Sequence, residues 1–388
     1  MTKCLICGQN KTIPTFNPGP QPLATLGLPA NHIDALEAPR FPMNFVTCAF
    51  CGHVFNTDFH EAQVPYTGDS SRMFNQGAKW VRHMDYTIIK LKNMRLHGLF
   101  IDIGCGTGDF ELRLKKAIPD ADILGFEPGI EAEKITDFPC VRDYFIPQRD
   151  LKRYPPALLI CRHVIEHMET PTDFVSDIAY WAAQYQLDHL YFFVEVPCIT
   201  NALYTRRLSD FLYEHVSNFT PNSLLHLFKA AKFECEWIDI GYNGEVIHAL
   251  FALDAQTIRQ VCGRSTTFHD ESNITLEEVW KEAQKIQGRT VLWGGSGKSA
   301  AFINLFGFNE YRFPFVVDSD PNKVGRFVPG MGQLIQSVEA VFADPVDTII
   351  ITTPWRAKDI LAEIERKALS YKTILVLDKG RLNKIKGE

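Results

Sequence analysis

From residue 99 onward the chain alternates short apolar runs with longer stretches of helical period. Runs 99–103, 123–126, 158–161 and 190–196 are almost wholly apolar, the pattern of strands buried on both faces of a parallel sheet. Between them, 110–117 and 171–183 read as helices, the second opened by Pro171 and Asp173. Thr220 ahead of Pro221 caps a further helix to about residue 231. Runs 233–240 and 246–253 flank Gly241-Tyr242-Asn243-Gly244 and read as an antiparallel pair closing the sheet edge. The polar stretch 262–275 reads as a linker. Thr275-x-x-Glu278 is a capping box, followed by Leu276, Val279, Trp280, Ala283 and Ile286 on one helical face, with Gly288 as the stop. A second alternation then begins: strand 290–293, helix 299–306, and strands 313–318, 348–352 and 373–377. The fold class is α/β. The expected division is an N-terminal module at 1–60, a first α/β domain at 61–255, a linker and helix at 256–288, and a Rossmann-like α/β domain at 289–388.

Composition narrows the functions available. Forty basic against 46 acidic residues give a net charge of −6, which disfavours a general nucleic-acid or membrane-surface role. No run approaches the roughly 20 apolar residues of a membrane span, and Met1-Thr2-Lys3-Cys4 opens no signal-peptide core. A cytoplasmic protein is expected, with its ten cysteines reduced or on metal. No protein partner is expected.

The cysteines carry the first candidate chemistry. Cys4-Leu5-Ile6-Cys7 and Cys48-Ala49-Phe50-Cys51 are each followed by glycine. Two such turns supply four thiolates, the set for tetrahedral structural Zn2+ with no open position. The 40 residues between them include a Pro- and Gly-rich loop at 18–24.

The second candidate lies where run 99–103 breaks. It carries Asp102 and ends in Gly104-x-Gly106-x-Gly108, glycines that let backbone approach a ligand closely. The spacing is not the Gly-x-Gly-x-x-Gly of a dinucleotide site. Run 123–126 ends in Glu127, placed to accept hydrogen bonds from ribose hydroxyls. An adenosine ligand without a phosphate chain fits this pair. Tyr66, with Ser70 and Ser71, stands ahead of the first core strand, either over that ligand or in an exposed turn.

Ligands of open α/β sheets sit beyond the carboxyl ends of the strands. Run 158–161 ends in Arg162-His163-Val164-Ile165-Glu166-His167, which puts His163 and His167 on the glycine-turn rim, as structural or proton-transferring groups. After Pro197 comes Glu214-His215, a candidate base with an orienting carboxylate. In the C-terminal domain Gly294-Gly295-Ser296-Gly297-Lys298-Ser299 lacks the spacing of a P-loop but suits a phosphate or diphosphate through Ser296 and Lys298. Asp318 repeats the glycine-then-acid pattern. That domain either binds a second substrate or serves as a rigid wall.

Asp102-x-Gly104-x-Gly106-x-Gly108 with Gly125-Phe126-Glu127-Pro128 resembles the cofactor site of class I S-adenosylmethionine (SAM) methyltransferases. The whole order of cysteine turns, SAM domain and trailing Rossmann-like domain resembles the sugar C-methyltransferases. Shared stretches include Gln21-Pro22-Leu23-Ala24, Tyr66, Val164-Ile165-Glu166-His167, Glu214-His215-Val216-Ser217 and Gly325-Arg326-Phe327-Val328-Pro329-Gly330. The resemblance implies a seven-stranded class I sheet, SAM as methyl donor and a nucleotide-diphosphate 4-ketosugar as small-molecule substrate, methylated at the carbon α to the ketone. It implies His215 as base with Glu214 orienting it, and His167 and Tyr66 in the substrate pocket. His163 falls with Asp102, the three glycines and Glu127 at the cofactor. The sequence departs from the family at Leu212-Tyr213 and at His163, where Asn is common. O- or N-methylation of another small molecule, and a non-catalytic scaffold, are the alternative readings.

Overall fold

The computed structural model describes residues 2–26, 28–65 and 77–387. The chain forms two compact units, Met1–Val261 and Cys262–Glu388.

The first unit opens with β1 (Thr12–Phe16), a short helix α1 (His32–Leu36), β2 (Phe45–Cys48) and β3 (Val54–Asn56). Then come α2 (Ala78–Asn93), β4 (Leu99–Ile103), α3 (Asp109–Ala117), β5 (Asp122–Phe126), β6 (Cys140–Val141), α4 (Pro147–Arg153), β7 (Leu158–Arg162), α5 (Pro171–Gln184) and β8 (Tyr191–Pro197). It closes with α6 (Ile199–Thr205), β9 (Ser217–Asn218), α7 (Pro221–Ala230), β10 (Phe233–Gly241) and β11 (Val246–Leu253). Seven strands form one sheet in the order β10-β11-β8-β7-β4-β5-β6, with β11 antiparallel to both neighbours. This is the class I methyltransferase arrangement.

Side chains alternate across this sheet. Phe100, Ile160 and Phe193 enter a core with Trp80, Met84 and Ile88 of α2 and Leu114 of α3. Ile101, Ile103, Leu159 and Val194 enter the opposite core with Val175 and Ile178 of α5 and Leu224 and Phe228 of α7. Each such fully buried side chain contributes about 1.5–3 kcal/mol. That second core also contains Cys4, Cys48, Cys51 and Phe55. The cysteine module is therefore packed into the sheet domain.

The remaining strands of this unit form a small sheet in the order β1-β2-β3-β9. Its fourth strand comes from the far end of the unit: Val54 pairs with Asn218 and Phe55 with Ser217. Nothing in the short run 217–218 announces this strand, because two residues carry no period.

The polar stretch 262–275, expected as a linker, is instead helical, within α8 (Ala255–Lys285). Its residues are exposed almost throughout, so the segment shows no apolar stripe. The second unit continues through β12 (Thr290–Trp293), α9 (Lys298–Leu305), β13 (Phe315–Val317), β14 (Ile335–Gln336), α10 (Val338–Val341), β15 (Val346–Ile351), α11 (Ala357–Arg366), β16 (Tyr371–Asp378) and β17 (Arg381–Gly387). Its six-stranded sheet has the order β14-β13-β12-β15-β16-β17, parallel except for β17. No helix among the described residues is long and apolar enough to cross a membrane.

Candidate active site

β4 lies between β5 and β7, with Asp102 opposite Gly125 and Ile160. Beyond β4 the chain turns sharply: the amides of Gly104 and Cys105 both donate to the Phe126 carbonyl, at 2.8 and 3.2 Å. Gly104 has φ +76°, and a Cβ there would stand 2.5 Å from Val164 Cγ2. The turn therefore needs glycine for conformation and for space. Gly106 donates to Glu127 Oε2 at 3.0 Å and Gly129 to Glu127 Oε1 at 2.8 Å, so the acid at the tip of β5 stands beside the turn. Gly108, also left-handed, begins α3.

Two buried carboxylates lie below this turn. Asp102 is 2% exposed and Glu111 1%. Asp102 Oδ1 and both oxygens of Glu111 have no hydrogen-bond partner among the described residues. Burial and the neighbouring Glu111 push the Asp102 carboxyl well above its usual range, against the pull of Arg162. Glu111 was not singled out from sequence; an acid in the first turn after the glycines was the available signal. The orphaned oxygens, the glycine cradle and Glu127 together fit an adenosine-bearing cationic ligand.

β7 delivers the next group. His163 has φ +56° and stands between two buried carboxylates, 3.4 Å from Glu166 and 3.3 Å from Glu195. Burial opposes its charge, but the two carboxylates outweigh burial and raise it to about 9. Glu195 also takes Arg162, at 2.7 Å. Four residues past His163, His167 Nδ1 donates to the Glu214 carbonyl at 2.8 Å. In the neutral ring this places the proton on Nδ1 and the lone pair on Nε2. The His167 and His215 rings meet edge to face, 4.8 Å apart at 76°. Glu166 completes the cluster: donor atoms of Glu166, His167 and His215 lie within 4.8 Å of one another. Burial and His167 lower His215 to about 4, so its ring is neutral near pH 7. Tyr66, with Ser70 and Ser71, lies outside the described residues.

The carboxylate of Glu214 does not orient His215 through a hydrogen bond. Its Oε1 accepts from the amides of Ala24 and Thr25, at 2.6 and 2.7 Å, and from Thr25 Oγ1 at 3.1 Å. The chain turns at Tyr213 and Glu214, with the His215 amide donating to the Leu212 carbonyl at 3.3 Å, so that Glu214 faces the N-terminal loop while His215 faces His167. Glu166, not Glu214, is the carboxylate in the imidazole cluster. Tyr213 is structural: its hydroxyl accepts from His60 N–H and donates to Gln63.

In the module, Cys4 and Cys51 sulfurs are 3.6 Å apart, and Cys7 and Cys48 sulfurs 3.5 Å. A tetrahedron with metal–sulfur bonds of about 2.3 Å has edges of about 3.8 Å, so the four sulfurs can hold one metal ion. Gly8 and Gly52, at φ +68° and +74°, make the two turns.

In the second unit Asp318 ends β13 and accepts from Gly295 N–H at 3.3 Å and Lys323 at 3.1 Å. Ser296, Lys298 and Asp318 line one hollow of about 170 Å3, where the Lys298 ammonium stands 4.5 Å from the Trp355 ring centre. The three residues expected to act together are brought together.

Two family models match the chain: a methyltransferase domain over residues 81–238 and a C-methyltransferase C-terminal domain over residues 259–377. C-methyltransferase NovU of Streptomyces niveus is 21% identical over 400 residues, spanning 95% of this chain and 93% of that protein. The chain is thus similar to SAM-dependent C-methyltransferases along nearly its whole length. It is an enzyme, a SAM-dependent methyltransferase built on the class I sheet. Among solved structures, magnesium protoporphyrin IX methyltransferase from Synechocystis PCC 6803 with bound SAH is 13% identical with a TM-score of 0.36, over 48% of this methyltransferase and 90% of that chain. The PH0226 protein from Pyrococcus horikoshii OT3 is 14% identical with a TM-score of 0.36, over 49% and 95%. Likeness at that level decides nothing about the chemistry of this methyltransferase.

Proposed function

We propose that this enzyme methylates the carbon α to the ketone of a nucleotide-diphosphate 4-ketosugar, with His215 as the base. The observation that carries the reading is the His167–His215 pair beside buried Glu166, reached directly from the glycine turn through Val164 and Ile165. The end-to-end similarity to a protein named as a C-methyltransferase supports carbon as the acceptor.

SAM, when bound, supplies an electrophilic methyl group on a sulfonium. Asp102 and Glu111 offer buried carboxylates to its ammonium, and Glu127 accepts from its ribose hydroxyls. His215, neutral at pH 7, takes the α proton at a ring nitrogen. Glu166 stabilises the imidazolium so formed, and the carbonyl of Glu214 holds His167 in register with it. The enolate carbon would take that methyl in line as its carbon–sulfur bond breaks, the electron pair staying on sulfur as the thioether product. The four cysteines hold a structural Zn2+, whose role is to keep β3 in place as the template for β9, the strand that follows His215. Within the second unit's own hollow, Ser296 and Lys298 suit a phosphate and Asp318 a ribose.

Deuterium wash-in at the α carbon of a 4-ketosugar nucleotide, run without SAM, tests the reading. Exchange that disappears in His215→Asn is expected. Methyl transfer with no exchange under any condition would move the reaction to O- or N-methylation.

A further inference from the structure

On the sheet face covered by α2 a second group of ligand-type side chains comes together. Glu195 of β8 and His248 of β11 are directly paired across the strands, and His83 reaches them from α2. All three are buried, with donor atoms within 4.8 Å of one another. Each imidazole is held by one of its nitrogens. His83 Nε2 donates to Glu195 Oε2 at 2.6 Å, and His248 Nδ1 stands 3.1 Å from Thr87 Oγ1. Nδ1 of His83 and Nε2 of His248 have no hydrogen-bond partner among the described residues.

Both of those nitrogens border one spot, beside His83 Cε1. A Cβ on Gly241 would stand 2.5 Å from His83 Nδ1 and 3.3 Å from His248 Nε2. Gly241 has φ −107°, open to any residue, so the space beside the imidazoles, not the backbone, calls for glycine. The spot opens into a cavity of about 460 Å3 lined by His83, Gly241 and His248.

We propose that His83 Nδ1 and His248 Nε2 bind a divalent transition metal of the class that imidazole prefers, such as Zn2+, Co2+ or Ni2+. A carboxylate on the far nitrogen is how metal-bound histidines are commonly oriented, and Glu195 gives His83 that support. Thr87 supports His248 in the same way. Mg2+ and Ca2+ demand oxygen ligands and gain little from two ring nitrogens. Lys79 and Arg82, exposed at the cavity mouth, favour an anionic or water-derived group in the ion's remaining positions. The site is tied to the cofactor rim, since Glu195 also holds Arg162 and contacts His163.

Zn2+ titrated calorimetrically into chain whose cysteine module is already loaded tests this. One further equivalent is expected, with no matching signal from Mg2+. His248→Gln and Gly241→Ala should each weaken that equivalent tenfold or more, with circular dichroism reporting an intact fold and the cysteine-bound ion retained. Gly241→Ala keeps both histidines in the chain and crowds the His83 ring out of the spot, so it decides the matter if His248→Gln misfolds. His215→Gln should leave the further equivalent unchanged. Absence of a further equivalent, its survival in both variants, or its loss in His215→Gln alone would overturn the proposal. Absence of the further equivalent, or its survival in both variants, says nothing about methyl transfer, whereas its loss in His215→Gln alone would put the ion on the proposed base, so failure of this site and failure of the proposed reaction are distinguishable.

Discussion

Glu214 and Ala24, 190 residues apart in sequence, are joined by a hydrogen bond of 2.6 Å from the Ala24 amide to the Glu214 carboxylate. Thr25 adds its amide and hydroxyl to the same oxygen. The residue before the proposed base is thus a clamp on the N-terminal loop. Removing the carboxylate takes the charged acceptor from the Ala24 and Thr25 amides and empties a buried side-chain position. Glu214→Ala should cost about 2–4 kcal/mol in denaturant unfolding and Glu214→Gln less. SAM affinity by calorimetry should stay unchanged. A shifted acid limb of the pH–rate profile with unaltered stability would instead restore the orienting role.

His215→Asn should lower kcat by about 10²–10⁴, the usual worth of a positioned proton acceptor, without changing SAM affinity. Quench-flow methyl transfer together with SAM calorimetry checks both halves. Equal losses in both would make His215 a packing residue.

Two histidines shape stability against pH in opposite directions. His215 titrates at about 4 in the folded chain, below its ordinary 6.5. Between those values the unfolded chain binds the extra proton, so the His215 contribution is complete above pH 6.5 and is lost as pH falls toward 4. His163 titrates at about 9. Its contribution is complete below pH 6.5 and is lost as pH rises through 9. Each limb has a slope of at most about 1.4 kcal/mol per pH unit. Urea unfolding from pH 4 to 9 should show the alkaline limb flattened in His163→Gln and the acid limb flattened in His215→Gln.

Metal removal should disable catalysis at a distance. β9 hydrogen-bonds to β3, whose turn is anchored by Cys48 and Cys51, and Asn222 donates to the Cys51 carbonyl at 2.9 Å. Cys48→Ser should release about one Zn2+ per chain from the four-sulfur set and lower both the thermal midpoint and the α-carbon exchange. Mass-spectrometric metal analysis beside the exchange assay measures it. Full exchange in a metal-free preparation would detach the module from the active segment.

Gly104→Ala should weaken SAM binding by about tenfold or more, because the left-handed φ costs about 1 kcal/mol and the new methyl collides with Val164. Calorimetry reads it directly. Gly106→Ala shares the positive φ but meets nothing within 4 Å and should do less.

Reading the residues in order was enough for the parallel strands, the glycine turn with Asp102 and Glu127, and the two cysteine turns. In each the signal is local: an apolar run, a fixed spacing, a turn that only glycine makes cheaply. The same local logic missed the helix over 262–275, whose exposed surface carries no apolar stripe to detect.

What tertiary structure alone decided is which distant side chains meet. A two-residue strand from beyond His215 joins β3 near the start of the unit, Glu214 turns to Ala24, Glu166 stands beside the His167 and His215 rings, and His83 meets Glu195 across 112 residues. Such meetings depend on sheet order and on which face a residue occupies once the strands have paired. Periodicity within any one segment records only that segment's own inside and outside, so the partner waiting on the inside is set by the completed fold.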